Sequence, residues 1–256
     1  MDVVAGVVIA LLGLAVGGML TTVVDRVPDR SSLLRPGPRC VTCGAPIAGR
    51  DRVPVVSWLL LRGRCRDCGA AIPWQYPVIE AATPLLFLAT FAVMGFSWAL
   101  PAYLYLAALA VAATAIDIAH HRLPDAIVLP SYPIVLGLLV VALLGPGSAG
   151  DLGRALLGGA AMFAGFFLLA LINPSGMGGG DIKLAGVLGM LLGWVGWWAV
   201  LVGALGSFFI GAIASVGLMA AGRVGRKGHI PFGPFMFIGT YIGLLYGQQL
   251  GRWYLG

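Results

Sequence analysis

Two aspartates, Asp117 and Asp181, stand at the ends of strongly apolar segments in a chain of 256 residues with only ten acidic side chains. Asp181 closes the run Gly176-Met177-Gly178-Gly179-Gly180. A carboxylate inside a bilayer costs about 2.5–3.5 kcal/mol at a helix centre and less toward the interface, so such residues usually face a wet cavity and have a chemical task. Two of them fit paired acid–base work on a membrane-embedded substrate. Neighbouring carboxylates in a poorly solvated site share one proton, because both cannot readily ionise together. The ionised member takes a proton from water, which attacks a carbonyl carbon, while the protonated member hydrogen-bonds the carbonyl oxygen.

Simpler readings compete. Asp117 would also suit a helix end facing lipid headgroups, and Asp181 an N-cap after a glycine turn. Asp125, after Leu123-Pro124, reads as the N-cap of the next helix. Helix dipoles give the pair an expected division of labour. Asp181 at a helix amino terminus is expected to be mainly the base, and Asp117 near a helix carboxyl end mainly the acid. Gly178, Gly179 and Gly180 permit positive φ and let a substrate backbone come close to the carboxylate. A dinucleotide-type phosphate loop would need a preceding strand, and no strand pattern precedes Gly176. Lys183 stabilises an ion at the site, holds a backbone carbonyl, or is a plain interfacial lysine. His120 and His121 lack a second cluster of hard ligands, so with His229 they read as interfacial residues rather than metal ligands.

The elements that carry these residues follow from composition. The chain is 59% hydrophobic and 10% charged, whereas ordinary soluble domains carry about 25% charged residues. The fold class is an all-α polytopic membrane protein. Apolar stretches of about 20 residues give eight transmembrane helices, at 3–24, 77–96, 99–117, 126–145, 154–172, 182–195, 196–221 and 232–250. The sixth is short, and its boundary with the seventh near Gly193–Gly196 is the least defined. The first has no basic start and too long an apolar stretch for a signal peptide, so it is read as a retained helix.

Basic residues set the orientation. Nine arginines (26, 30, 35, 39, 50, 52, 62, 64 and 66) fall in the first long loop. With Arg122, Lys183, Arg223, Arg226 and Lys227 they place fourteen of sixteen basic residues on one side, leaving Arg154 and Arg252 on the other. By the positive-inside rule the fourteen are cytoplasmic and both termini face outward. Asp117 and Asp181, 64 positions apart, then reach one depth at the cytoplasmic face. The net charge of +6 is absorbed by topology, and no nucleic-acid partner is expected.

All four cysteines lie in that loop, as Cys40-Val41-Thr42-Cys43 and, 21 residues later, Cys65-Arg66-Asp67-Cys68, each pair followed by glycine. Two such knuckles suit tetrahedral thiolate coordination of structural zinc. Disulfides are disfavoured in a reducing cytoplasm. With four protein ligands no coordination position stays open for catalysis, and metal would supply much of the loop's folding free energy. The expected organisation is a first helix over 1–24, a cytoplasmic zinc-ribbon-like module over 25–76, and a seven-helix membrane domain over 77–256.

With these residues in view, the chain resembles the type IV prepilin peptidases, membrane aspartyl proteases with a Gly-x-Gly-Asp motif. Gly178-Gly179-Gly180-Asp181-Ile182-Lys183-Leu184 looks like that motif, and Asp117 with Leu123-Pro124-Asp125 is similar to the segment of the first catalytic aspartate. The cysteine knuckles, Pro54-Val55-Val56-Ser57-Trp58-Leu59, Tyr76-Pro77-Val78-Ile79-Glu80 and Ile230-Pro231-Phe232-Gly233-Pro234-Phe235 resemble family segments in the expected order. Val23-Val24-Asp25-Arg26-Val27-Pro28 is similar to another, with Thr21-Thr22 and Asp25 departing from its common form. The resemblance implies a bacterial inner-membrane enzyme that cleaves the basic leader of type IV prepilins and pseudopilins at the cytoplasmic face. It also implies N-methylation of the new amino terminus with S-adenosylmethionine. Glu80 is then expected to contact the cytoplasmic module or to assist methyl transfer. The rival readings are an aspartyl protease for another membrane substrate, a proton- or cation-coupled transporter, and a non-enzymatic assembly factor docking through its zinc loop.

Overall fold

The computed structural model describes residues 3–33, 37–173, 177–222 and 230–255, which contain no strand longer than isolated bridges. Arg35, Gly176, Arg223, Arg226, Lys227 and His229, all named above, lie outside the described residues. The helices are α1 (Val3–Arg26), a short α2 (Val56–Leu60), α3 (Gln75–Met94), α4 (Leu100–His120), α5 (Asp125–Ala142), α6 (Ala149–Ile172), α7 (Gly179–Val195), α8 (Trp197–Ala220) and α9 (Gly233–Leu255). Apart from α2, they stand where the eight apolar stretches predict them.

Six of these helices, α1, α3, α4, α5, α6 and α8, are long and apolar enough to cross a membrane. Their outer faces carry large apolar side chains such as Leu157, Leu168, Leu205, Phe209 and Ile213, each more than half exposed. A surface of that kind belongs against hydrocarbon rather than water. α7, with 17 residues, is about 25 Å long at 1.5 Å per residue. α9 is continuous, but its apolar sequence is broken by Gln248, Gln249 and Arg252.

The chain forms two compact units, one of residues Met1–Phe96 and Leu104–Ala115, the other of Ser97–Tyr103 and Ile116–Gly256. In the first, α1 packs on α3, with Gly13 against Pro84 and Gly17 against the backbone of Glu80.

In the second unit α7 is the core. Every residue from Leu184 to Gly193 is buried, as expected of a helix apolar on all sides. It packs against α5, α6, α8 and α9. Small residues set these distances, because close backbone approach drives helix association in lipid. A side chain at Gly158 of α6 would meet the Gly189 carbonyl of α7 at 2.7 Å, and one at Gly193 of α7 would meet the Arg154 carbonyl of α6 at 2.6 Å. On α9, Gly239, Gly243, Gly247 and Gly251 recur every four residues and lie against α8.

The ends of α7 are fixed separately. Gly196, with φ of 153°, separates it from α8, at the boundary left open by composition. The Arg154 guanidinium donates to the carbonyls of Gly193 and Trp194, both at 2.8 Å, so a cation meets the negative end of the helix. Tyr103, fully buried at the start of α4, donates from its hydroxyl to the Leu191 carbonyl at 2.8 Å. These ties anchor the carboxyl end of the buried helix, opposite the first turn that holds Asp181.

The glycine contacts generate a stability prediction. A side chain at Gly243 would lie 2.5 Å from the Ala199 carbonyl and 2.9 Å from the Gly203 Cα, which are backbone atoms that cannot swing away. Overpacking of this kind costs about 1–3 kcal/mol, so Gly243→Leu should lower the melting temperature in detergent by roughly 3–10 °C. Gly165→Ala, in α6 with open space beside it, should leave it within about a degree. Equal melting temperatures for the two variants would refute this account of the packing.

Candidate active site

Asp117 sits one turn before the end of α4. His121 adopts a left-handed conformation (φ 50°, ψ 39°) that ends the helix, and its amide donates to the Asp117 carbonyl at 2.8 Å. The Asp117 side chain is only 4% exposed. Its Oδ2 accepts a hydrogen bond of 2.9 Å from the Gly233 amide, at the first residue of α9. A side chain on residue 233 would come within 2.8 Å of that oxygen, so glycine is what lets the helix start approach so closely. Behind it, Phe232 packs with Phe208 and Phe166 at ring distances of 5.5 and 6.3 Å and steadies the entry to α9.

Asp181 is the third residue of α7. Gly178 is the N-cap, and its amide donates to Asp181 Oδ2 at 3.2 Å. The carboxylate therefore reaches back to the start of its own helix, one half of a capping arrangement. Leu123, buried between the α4 and α5 helices, links the surroundings of Asp117 and Asp181. A side chain on Gly180 would be 2.8 Å from both the Leu123 Cβ and carbonyl, and one on Gly233 would be 3.6 Å from Leu123 Cδ1.

Three sequence expectations change here. The glycines before Asp181 do not use positive φ: Gly178 is extended (φ −73°, ψ 145°), and Gly179 and Gly180 form the first turn of α7. The helix claims them because Leu123 must pass beside residue 180. The basis of the dipole asymmetry expected for the two acids also changes, since the Asp117 side chain meets the amino end of α9 while its backbone ends α4. Both carboxylates thus lie at positive helix ends. Asp125, finally, is not an N-cap. Pro124 holds that position without a side-chain bond, and Asp125, the first residue of α5, pairs with Lys183 at 2.7 Å.

Lys183 therefore faces Asp125 on α5, and its backbone carbonyl accepts from the Tyr132 hydroxyl at 2.7 Å. Tyr132 had no signal as a site residue in the sequence, and Leu123 was marked only by its place in the segment resembling that of the first catalytic aspartate. The segment containing Gly233 was marked only by resemblance, with Pro234 in the first turn as a helix-start cue.

In the other unit the four cysteines come together. Their sulfurs all lie within 4.8 Å of one another, and Cys40 and Cys68 Sγ are 3.8 Å apart. That matches the edge of a tetrahedron with metal–sulfur bonds of about 2.3 Å. The two knuckles repeat the same geometry. Gly44 and Gly69 have φ of 72° and 71° and donate to the Cys40 and Cys65 carbonyls at 2.9 and 3.0 Å. Amides of Cys43 and Thr42 hold the Cys40 thiol down to about 6. The Ala70 amide favours the Cys68 thiolate, but desolvation and the other three sulfurs push it up to about 12. Four thiols this close need a cation among them to ionise together. The positions fit a metal ion; among the described residues no other group of three or more His, Cys, Asp or Glu side chains does so, His120 and His121 included.

Between the knuckles the chain makes a tight turn at Val55 (φ 63°, ψ −50°), closed by a 2.6 Å bond from the Val56 amide to the Pro54 carbonyl. This is the strained form of γ-turn. The Val55 amide donates to Glu80 Oε2 at 2.6 Å, so Glu80 does contact the cysteine module. One turn earlier on α3, the Tyr76 hydroxyl donates to Asp25 at 2.6 Å.

Comparison with known proteins follows the same division. Residues 11–94 match the bacterial peptidase A24 N-terminal domain, and residues 104–216 match the type IV leader peptidase family. A prepilin leader peptidase/N-methyltransferase of Aeromonas salmonicida (strain A449) is 37% identical over 89% of this chain and 77% of its own length. Proteins of that name from Pseudomonas aeruginosa and Bacillus subtilis (strain 168) are 35% and 31% identical, over 96% and 97% of this chain and 91% and 97% of their own lengths. No solved structure matches. A carboxylate pair on separate helices, a four-cysteine module ahead of it and likeness along nearly the whole length have one common reading: the chain belongs to the type IV leader peptidase family.

Proposed function

We propose that this chain is a membrane aspartic endopeptidase that removes the leader of type IV prepilins and pseudopilins, with Asp117 and Asp181 as its catalytic carboxylates. The observation that carries this reading is that the two acids, 64 positions apart, each accept a backbone amide at a helix start, and that the glycines beside them, Gly233 and Gly180, abut the same residue, Leu123. Amides orient a carboxylate without holding it permanently ionised as a bound cation would. One proton can therefore pass between the pair while water is activated and the scissile carbonyl is polarised. Gly179 has open space beside it in the turn that carries Asp181, which suits the approach of an extended substrate backbone. No covalent intermediate enters the sequence of steps.

The same reading places the carboxylates and the cysteine module at the cytoplasmic face of a bacterial inner membrane, with both termini on the opposite side. The support is the arginine-rich loop and the positive-inside rule. The metal expected at Cys40, Cys43, Cys65 and Cys68 is structural zinc, for which four thiolates form a closed site. A second activity, N-methylation of the newly exposed amino terminus, accords with the names of the relatives. S-adenosylmethionine would supply the methyl group. Glu80 supports this unit by holding the Val55 turn.

Asp117→Asn and Asp181→Asn should each reduce leader cleavage by at least about 1000-fold while leaving the melting temperature close to that of the parent. Mass spectrometry of a reconstituted prepilin gives the test, and full cleavage by either purified variant would remove the catalytic assignment. The same spectra, taken with and without S-adenosylmethionine, should show a mass gain of one methyl group on the mature pilin only.

Gly233→Val, which intrudes on the Asp117 carboxylate, should lower kcat by about 10–100-fold through misplacement of the acid. A variant with unchanged kcat would show that the α9 start does not position Asp117. Removal of metal with a strong chelator should destabilise the cysteine module, read as faster proteolysis between Pro38 and Trp74. Zinc should restore protection, and identical digestion before and after chelation would count against a metal there.

A further inference from the structure

Lys183 lies two residues beyond Asp181, in the opening turns of α7. It is held twice by α5. Its ammonium reaches both oxygens of Asp125, at 2.7 and 2.8 Å, and its backbone carbonyl accepts from Tyr132 at 2.7 Å. Asp125 and Tyr132 are seven positions apart, so they occupy the same face of α5. A side chain on Gly186 of α7 would overlap the Tyr132 hydroxyl, so the tyrosine lies directly against the helix. Residues two apart on a helix point in different directions, and Lys183 accordingly turns to α5 rather than toward the carboxylate pair.

This arrangement has a geometric consequence. α5 follows α4 through the short link that contains Leu123, and α4 carries Asp117. The beginning of α5 is therefore tied by chain to one carboxylate and by Lys183 to the turn carrying the other. Any rotation of α7 about its axis that moved Asp181 would have to break the ion pair and the tyrosine bond.

On the reading of Asp117 and Asp181 as the catalytic pair, we propose that Asp125 and Tyr132 are positioning residues, which fix the rotation of the first turns of α7 through Lys183 so that Asp181 meets Asp117. Neither contacts the substrate carbonyl. Lys183 is their handle rather than a charge in the chemistry.

The test compares Asp125→Asn, Lys183→Met, Tyr132→Phe and the exchange Asp125→Lys with Lys183→Asp, each purified in detergent and assayed on a full-length prepilin. The three single variants should lose about 10–100-fold in kcat with KM changed less than about threefold, as expected for misplaced reacting groups rather than lost binding. The exchange should recover most of the loss at Asp125. The plateau of the pH–kcat profile should narrow in the single variants, because carboxylates held farther apart split their titrations less.

Wild-type kcat in the single variants, a change confined to KM, or an exchange that folds but recovers nothing would overturn the proposal. The ion pair has its own readout that needs no cleavage. Acetylation of Lys183 by an amine-reactive ester, followed by peptide mass spectrometry, should be several-fold faster in Asp125→Asn, and an equal rate would refute the pairing. A parent protein that leaves prepilin intact would defeat the protease reading while this labelling still judged the contact.

Discussion

A buried carboxylate must be compensated, and here the compensation comes from peptide amides at the beginnings of helices. Gly233 serves Asp117 and Gly178 serves Asp181. Each such bond to a charged group contributes about 1.5–3 kcal/mol, enough to hold an acid in place without committing it to one protonation state. The nearest lysine along the chain is engaged by a different acid, Asp125. A lysine paired with Asp181 instead would have favoured its ionised form. The arrangement of α4, α5, α7 and α9 follows from this need to bring two helix starts and one helix end to a single place.

Side-chain-free surfaces make that convergence possible. Hydrocarbon offers little hydrophobic drive for helices to associate, so their contacts rely on close van der Waals packing. Glycines along α6, α7, α8 and α9 let backbones touch where any larger residue would intrude. The burial of α7 from Leu184 to Gly193 is the outcome, and it turns the helix into a rigid mount for Asp181. Tyr103 near one end and Tyr132 near the other add hydroxyl bonds to its carbonyls.

Much of this was legible in the residues. Apolar length marked all eight long helices, because hydropathy over about 20 residues is a strong signal. The cysteine spacing forecast the cluster, since each knuckle is a local turn whose glycine must take positive φ. Asp117 and Asp181 stood out because carboxylates are scarce in such a composition. What stayed hidden was non-local. Nothing near Gly233 in sequence announces a hydrogen bond to a residue 116 positions away. The part played by Asp125 was misread because a capping rule applies to local sequence, whereas its partner lies 58 positions on. The local sequence around Asp117 shows only the end of its own helix, whereas the start of α9 meets it from 116 positions away.

The turn at Val55 has an implication for how the cysteine unit is built. The bend that brings Cys40 and Cys43 back toward Cys65 and Cys68 is an unfavourable backbone shape, and the acceptor for its exposed amide is Glu80, which belongs to a bilayer helix. The four-cysteine loop is thus tied through its own backbone to the helix that follows it, so the Val55 turn and the first turns of α3 stabilise each other.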